Sequence, residues 1–150
     1  MIDGLVVKPL KVFEDERGKL LRMLRCDDEL FAGFGEIYFS VTNPGVVKGW
    51  KKHLRMTQHF AVPSGLIKIV FYDDRPASPS KGLVQELVLG GDNYQLVRVP
   101  PQVWYAFSCV SGQAAMIANC TDMPHDPLEV VLLPLMDESI PYAWNNGGES

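Results

Sequence analysis

Lys51 and His53 lie two positions apart in a segment with the composition of a β-strand. Alternate residues of a strand point to the same side of a sheet, so both side chains can face one interior while Lys52 faces solvent. A neutral imidazole accepts protons near neutral pH, and burial lowers the pKa of a lysine until its amine can act as a base. The spacing therefore predicts an interior site for proton transfer, although His53 also fits a structural histidine of a core.

The elements that must position these residues read as short strands separated by turn residues, with a spacing of about ten residues. Gly, Pro, Asn, Asp and Ser mark the turns. One short helix is expected at Asp28–Phe34, where aspartates can cap its start. The pattern predicts a single all-β domain over residues 1–150 that ends in a loose tail at Asn145–Ser150. The predicted strands are Leu20–Leu24, Gly35–Thr42, Val46–Trp50, Thr57–Pro63, Leu66–Asp73, Leu83–Gly90, Tyr94–Pro100, Trp104–Val110, Ala114–Cys120 and Glu129–Leu135.

Composition limits the partners and the compartment. The 150 residues carry a net charge of −4, which argues against nucleic acid or an anionic membrane as a partner. No apolar run approaches the roughly 20 residues that span a bilayer. The scattered cysteines (Cys26, Cys109 and Cys120) favour a reducing compartment over a disulfide framework, so we expect a cytoplasmic protein.

Residues Gly49 to Gly65 have the spacing of the first cupin motif, which predicts a double-stranded β-helix, or jelly roll, with at most one or two short helices. Metal-binding cupins place three His and one Glu at the ligand positions, because these side chains supply nitrogen and oxygen donors. Here Lys51, Gln58 and Tyr105 stand at three of those positions, and only His53 remains. The sequence therefore predicts a site without a metal or another cofactor.

A more specific resemblance runs over roughly 130 residues. In order, five segments are similar to motifs of the dTDP-4-dehydrorhamnose 3,5-epimerase family, and the strand after Gly49 also resembles the related ketoisomerases. The resemblance implies an isomerase of nucleotide sugars that forms a homodimer. The five segments are Phe13–Gly18, Gly45–Gly49, Tyr72–Gly82, Asn93–Phe107 and Ile140–Trp144.

Departures from the family pattern fall on its acid–base residues. The resemblance aligns Lys51 with the family's histidine base, and its supporting carboxylate is best matched by Asp137. The tyrosine acid falls near Ile117 or Ala118, neither of which can donate a proton. Lys51, His53, Tyr105 and Asp137 are therefore the candidate catalytic residues.

The candidate substrate-binding residues are Arg17, Lys48, Gln58 and Trp104. Arg17 matches the family's phosphate-binding arginine, although a solvated salt bridge is the alternative. Lys48 replaces an arginine, which keeps the charge but loses bidentate geometry, and Gln58 aligns with a pocket lysine.

Two functions follow from these residues. The first is epimerisation or ketoisomerisation of an NDP-4-keto-6-deoxyhexose by proton abstraction next to the ketone, without a metal. The second is a catalytically inactive protein of the same fold that binds a sugar nucleotide as a sensor or a partner subunit. The missing base and acid favour the second function, and the overall resemblance favours the first.

Overall fold

The computed structural model describes residues 1–144, so the predicted tail at Asn145–Ser150 lies outside the described residues. The described chain is almost entirely β, with one turn of 3₁₀ helix at Pro127–Glu129. The strands are β1 Val6–Pro9, β2 Val12–Asp15, β3 Gly18–Leu21, β4 Glu36–Thr42, β5 Val47–His53, β6 Gln58–Ser64, β7 Leu66–Asp73, β8 Val84–Gly90, β9 Gln95–Val99, β10 Val103–Cys109, β11 Ala115–Thr121 and β12 Val130–Leu132.

Two five-stranded antiparallel sheets form the body of the fold. The first sheet has the order β1-β9-β6-β11-β4 and the second has the order β12-β5-β10-β7-β8. Alternate residues of β7 (Ile67, Ile69 and Phe71) are fully buried against β6 residues such as Phe60 in a core shared by both sheets. This sandwich confirms the predicted all-β jelly roll.

Strands β2 and β3 form a separate two-stranded hairpin, and nearly all of its residues are exposed. The sequence prediction missed β1 and β2 and placed β3 too late, because charged residues dilute the strand pattern near the N-terminus. The other nine predicted strands are present, with bounds shifted by a few residues.

The helix predicted at Asp28–Phe34 is wrong, since the segment forms turns. The Asp28 carboxylate accepts the N–H of Leu30 at 2.9 Å and pairs with Lys8 at 2.8 Å, which fixes a local turn instead of capping a helix. The segment then packs on buried His59, whose Nε2 accepts the N–H of Ala32 at 3.2 Å.

The outer face of the second sheet is covered by the segment that follows β12. Trp50 and Trp104 pack there with Ile140 and Tyr142, so large side chains that point away from the main core are also buried. Within residues 1–144, no helix is long and apolar enough to cross a membrane.

Candidate active site

A cavity of about 510 Å³ opens between the two sheets, next to strand β5. Its polar wall includes residues of both sheets: Tyr38 and Asn119 of the first sheet face Lys48, Lys51 and Tyr105 of the second. The remaining lining residues are largely apolar: Trp50, Phe60, Phe107, Ile117, Leu132 and Leu133. A pocket of this kind combines apolar walls with a few convergent polar groups, as small-molecule sites do.

The pairing of β5 with β10 decides which side chains enter the cavity. Lys51 lies opposite Tyr105 in the register, and Lys52 lies opposite Trp104. Lys51 and Tyr105 line the cavity, as the two-residue period predicts. Lys52 lies outside, with its Nζ 4.9 Å from the centre of the Trp104 ring and 3.5 Å from Asp74.

Trp104 is therefore not part of the cavity, and the prediction that it binds substrate there has to be corrected. Its indole Nε1 donates to Asp74 at 2.9 Å, on the outer face of the second sheet. Adjacent strand residues point to opposite sides, so only one of Trp104 and Tyr105 can face the interior, and the register selects Tyr105.

A glycine keeps strands β5 and β10 close together at this point. Gly49 has φ of +142°, and a Cβ placed on it would collide with Ala106 of β10. Only glycine avoids both the strain of a positive φ and the clash with Ala106. It therefore allows β5, which carries Lys48 and Lys51, to run against β10 along the cavity.

Lys51 is half-buried on the cavity wall. Burial lowers the pKa of its amine, and the positive charge of Lys48 lowers it further. Within residues 1–144, no hydrogen-bond or ion-pair partner of the Lys51 amine is found. A larger fraction of this amine is consequently uncharged, and thus basic and nucleophilic, than for a lysine in water.

His53 forms a buried pair with Glu129, the last residue of the 3₁₀ turn. The two residues are only 5% and 2% exposed, and His53 Nδ1 contacts Glu129 Oε1. The other carboxylate oxygen accepts the backbone N–H groups of Arg55 and Met56, each at 3.1 Å.

Charges within this pair follow from the two pKa shifts. Burial lowers the pKa of His53 although the Glu129 carboxylate opposes that shift. Burial opposes ionisation of Glu129, but the hydrogen bonds from His53 and the backbone outweigh it and lower the pKa of the carboxyl. At neutral pH the pair is thus a neutral imidazole that donates its Nδ1–H to a carboxylate, which leaves Nε2 free to accept a proton.

Tyr105 connects this pair to the cavity. Its hydroxyl lies 3.4 Å from His53 Nε2 and donates to Gln58 Oε1 at 3.2 Å. Burial raises the pKa of the Tyr105 hydroxyl well above its usual range, so the group is neutral. Gln58 is buried behind the cavity wall, where it orients the Tyr105 hydroxyl instead of reaching the cavity itself.

A second tyrosine faces this group from the first sheet. Asn119 Nδ2 donates to the Tyr38 oxygen at 3.0 Å and to Gln58 Oε1 at 2.9 Å. Burial raises the pKa of Tyr38, and the hydrogen bond from Asn119 only partly offsets the shift. Because Asn119 occupies an acceptor position on its oxygen, the Tyr38 hydroxyl keeps its proton available for a group inside the cavity.

Lys48 and Arg17 differ in their relation to the cavity. Lys48 lines the cavity and donates to Ser40 Oγ at 3.1 Å and to the carbonyl of Val41 at 2.8 Å. Arg17 lies on the β2–β3 hairpin with an 83% exposed side chain that pairs with Asp15 at 2.6 Å, so it does not line this cavity.

Asp137 is also misplaced by the sequence prediction. It lies in an exposed turn after β12, where its carboxylate accepts from Ser139, and these hydrogen bonds lower its pKa. The carboxylate that pairs with His53 is Glu129, because β12 pairs with β5 and places Val130 opposite His53.

Tyr38, Asn119 and Glu129 are the site residues that the sequence analysis missed. Glu129 is an acidic residue just before an apolar strand, which gives a weak signal for a buried charge. Tyr38 lies between Ile37 and Phe39, and this alternation suggests that its side of the strand faces solvent. The described residues contain no group of three or more His, Cys, Asp or Glu side chains that could hold a metal ion.

Comparisons with known proteins agree with the fold and with the motifs. The family model of dTDP-4-dehydrorhamnose 3,5-epimerases matches residues 1–149. The probable low-salt glycan biosynthesis epimerase Agl13 of Haloferax volcanii is 36% identical over 120 residues, which cover 79% of this chain and 77% of that protein. The spore coat polysaccharide biosynthesis protein SpsL of Bacillus subtilis is 31% identical over 147 residues, which cover 97% of both proteins.

A crystal structure of a dTDP sugar isomerase from Desulfovibrio desulfuricans G20 superimposes with a TM-score of 0.93 at 46% identity, covering 95% of this chain and 92% of that one. Since both the family model and these relatives span most of the chain, the protein belongs to the dTDP-4-dehydrorhamnose 3,5-epimerase family of nucleotide-sugar isomerases.

Proposed function

We propose that this protein is an enzyme that epimerises or ketoisomerises an NDP-4-keto-6-deoxyhexose by proton transfer next to the ketone. Family membership supplies the substrate class. The observation that carries the proposal is the buried His53–Glu129 pair, which reaches the cavity through the hydroxyl of Tyr105. A protein that only bound a sugar nucleotide would not need a neutral histidine backed by a buried carboxylate.

The proton from the sugar carbon passes to the Tyr105–His53 pair. Tyr105 lines the cavity, and its hydroxyl hydrogen can turn from Gln58 Oε1 at 3.2 Å to His53 Nε2 at 3.4 Å. Its oxygen then receives the carbon-bound proton while its own proton moves to His53 Nε2. The resulting imidazolium is stabilised by the Glu129 carboxylate, as expected of a carboxylate that supports a histidine base. The separation of 3.4 Å between the two atoms is long for a catalytic hydrogen bond, and such contacts tighten when substrate binds.

Tyr38 donates a proton from the opposite wall. Its hydroxyl is held by Asn119 with the proton free, on the first sheet, whereas Tyr105 and His53 belong to the second. A sugar ring bound between the sheets thus meets an acceptor and a donor on opposite sides. Lys48 places positive charge at the cavity, where it stabilises an enolate oxygen or a phosphate.

The reaction proposed here needs no metal, because the side chains at the cupin ligand positions supply a different chemistry. Lys51 lies beside the cationic Lys48, which disfavours a bound metal ion, Tyr105 is kept neutral by burial, and Gln58 is committed to Tyr105 and Asn119. These residues serve proton transfer and hydrogen bonding.

Deuterium incorporation tests the proposal. The protein is incubated with dTDP-4-keto-6-deoxyglucose in D₂O, and ¹H NMR follows the C3 and C5 positions together with the position of the carbonyl. Enolisation should introduce deuterium at C3, C5 or both, and His53→Gln should slow that exchange by at least about 10²-fold. Measurable binding without any exchange would instead indicate the inactive sugar-nucleotide-binding protein.

We also propose a homodimer in the cytoplasm. Strand β4 lies at the edge of the first sheet and exposes Ile37, Phe39 and Val41 on its outer face, which is an unusual amount of apolar surface for a solvated strand. A role for Arg17 in phosphate binding requires the exposed hairpin to reach the cavity of a second copy. Free Cys26, Cys109 and Cys120 fit a reducing compartment.

A further inference from the structure

Lys51 combines features that distinguish it from an ordinary charge-stabilising lysine. Its amine faces a largely apolar cavity, has no acidic partner among the described residues, and lies three positions from a second lysine on the same strand. A lysine that is desolvated beside another cation is a recognised form of activated amine nucleophile. The proposed substrate brings a ketone, the functional group with which such an amine reacts.

We propose that Lys51 forms a covalent imine with the ketone of the substrate, so that the enzyme activates the sugar as an iminium ion. This inference rests on the proposed function, because it needs a keto sugar in the cavity. It gives Lys51 a role that differs from that of the histidine base to which it aligns.

Each step balances with water alone. The uncharged Nζ of Lys51 attacks the carbonyl carbon, and the carbinolamine loses its oxygen as water after Tyr38 has protonated it. The iminium nitrogen withdraws electrons, so a proton on a neighbouring carbon passes to Tyr105 and His53 and leaves an enamine. Tyr38 takes up a proton from solvent water while His53 releases one, and Tyr38 then protonates that carbon on its other face, which restores the iminium ion. One water molecule adds to the iminium ion, returns a proton to Tyr38, and releases the ketone and the free amine. One water is released and one is consumed, so the sugar changes only in configuration.

The covalent route selects between the two reactions of the proposed function. An imine keeps the nitrogen on the original carbonyl carbon, and hydrolysis therefore returns the ketone to that carbon. Epimerisation beside the ketone is compatible with this route. Migration of the carbonyl is not, because it would leave Lys51 joined to a saturated carbon as a stable amine.

The surroundings of each amine should determine which lysine reacts with the ketone. Lys52 is a matched control for Lys51. Lys52 is adjacent in sequence but lies on the other face of β5, beside Asp74 and over the ring of Trp104. Any unspecific reaction of amines with the keto sugar would modify Lys52, whose side chain is 16% exposed, and the exposed lysines to a similar extent as Lys51.

Reductive trapping provides the test. The protein is incubated with dTDP-4-keto-6-deoxyglucose in D₂O and sodium cyanoborohydride, which reduces an iminium ion to a stable secondary amine, and tandem mass spectrometry locates the added mass. We expect an adduct on Lys51 that approaches one per chain, at least about 10-fold above that on Lys52. Lys51→Met and Lys51→Arg should abolish it, and Lys52→Met should retain it.

The same samples separate failure of the inference from failure of the proposed function. Deuterium exchange at C3 or C5 without an excess adduct on Lys51 would overturn the imine and leave the proposed enolisation standing. A product whose carbonyl has migrated would also overturn it. Absence of both exchange and adduct would refute the proposed function and, with it, this inference.

Discussion

Replacing Glu129 with Gln removes one charge from the buried pair at the end of β5 while keeping the shape of the side chain. The Gln oxygen can still accept the N–H groups of Arg55 and Met56, which lie 3.1 Å from the carboxylate oxygen. The amide NH₂ then faces His53 Nδ1, which must become an acceptor. His53 consequently carries its proton on Nε2 and can no longer accept one from Tyr105.

The expected magnitude follows from this change of tautomer. A positioned general base contributes about 10²- to 10⁴-fold, and an amide that replaces the supporting carboxylate removes most of that contribution. We therefore expect kcat to fall by about 10²-fold or more, with little change in KM because Glu129 lies behind the cavity wall. Loss of charge from three hydrogen bonds costs about 3 kcal/mol, and the lower desolvation cost of an amide offsets part of it. The free energy of unfolding should fall by no more than about 2 kcal/mol.

Deuterium exchange into the keto sugar gives the rate, and ¹⁵N NMR of the imidazole nitrogens reports the tautomer directly. Asp137→Asn is the matched control: it makes the same chemical change at the exposed carboxylate and should leave the rate within about twofold. Retention of a third or more of the rate by Glu129→Gln, with the tautomer shown to have switched, would falsify the relay through Tyr105 and His53.

Three further outcomes are expected. Burial lowers the pKa of His53 below its unfolded value of about 6.5, so the folded state binds fewer protons than the unfolded state. The free energy of unfolding should therefore fall as the pH drops from about 7 through the pKa of folded His53. His53→Gln should flatten this pH dependence in a series of denaturant titrations. Phe39, 60% exposed on β4, lies on the proposed dimer surface, so Phe39→Glu should reduce the mass measured by light scattering from about two chains to one, whereas a wild-type mass of one chain contradicts the proposed dimer. Lys51→His restores the histidine of the family motif, but Asp137, the carboxylate that the sequence predicts to support it, lies in an exposed turn. We therefore expect no gain in deuterium exchange over the parent protein, and a gain would contradict this interpretation.

Much of the fold could be predicted because turn residues divide this chain into short segments, each long enough for one strand. The interior placement of Lys51 followed from the same local geometry, since period two fixes which residues of one strand share a face. Local geometry cannot say which of two faces is the interior when both carry bulky residues. Trp104 and Tyr105 pose that choice, and only the register of β10 against β5 resolves it.

In strand β4, the alternation of apolar and polar residues assigns the wrong face to the interior. Its apolar residues Ile37 and Phe39 are exposed, while Tyr38 and Ser40 face the cavity. Binary patterning assigns apolar side chains to the interior, but here the interior face of β4 carries the polar residues that line the cavity, and the apolar face is open in the single chain. Glu129 was missed for a different reason: 76 residues separate it from His53, and only the pairing of β12 with β5 brings them together.

Under the proposed function, the arrangement at β5 supplies a base for proton transfer although position 51 holds a lysine where the family motif has a histidine. Residues 51 and 53 share one face of the strand, so an imidazole two positions further along remains inside the fold. At that position it lies at the end of β5, beside the turn that supplies Glu129, and a C-terminal carboxylate is no longer required. Tyr105 spans the extra distance to the cavity, while position 51 is left free for an amine whose low pKa suits reaction with a ketone. Because the relay depends on Tyr105 and the imine on Lys51, the two functions separate by mutation: Tyr105→Phe should slow deuterium exchange but still permit the Lys51 adduct to form.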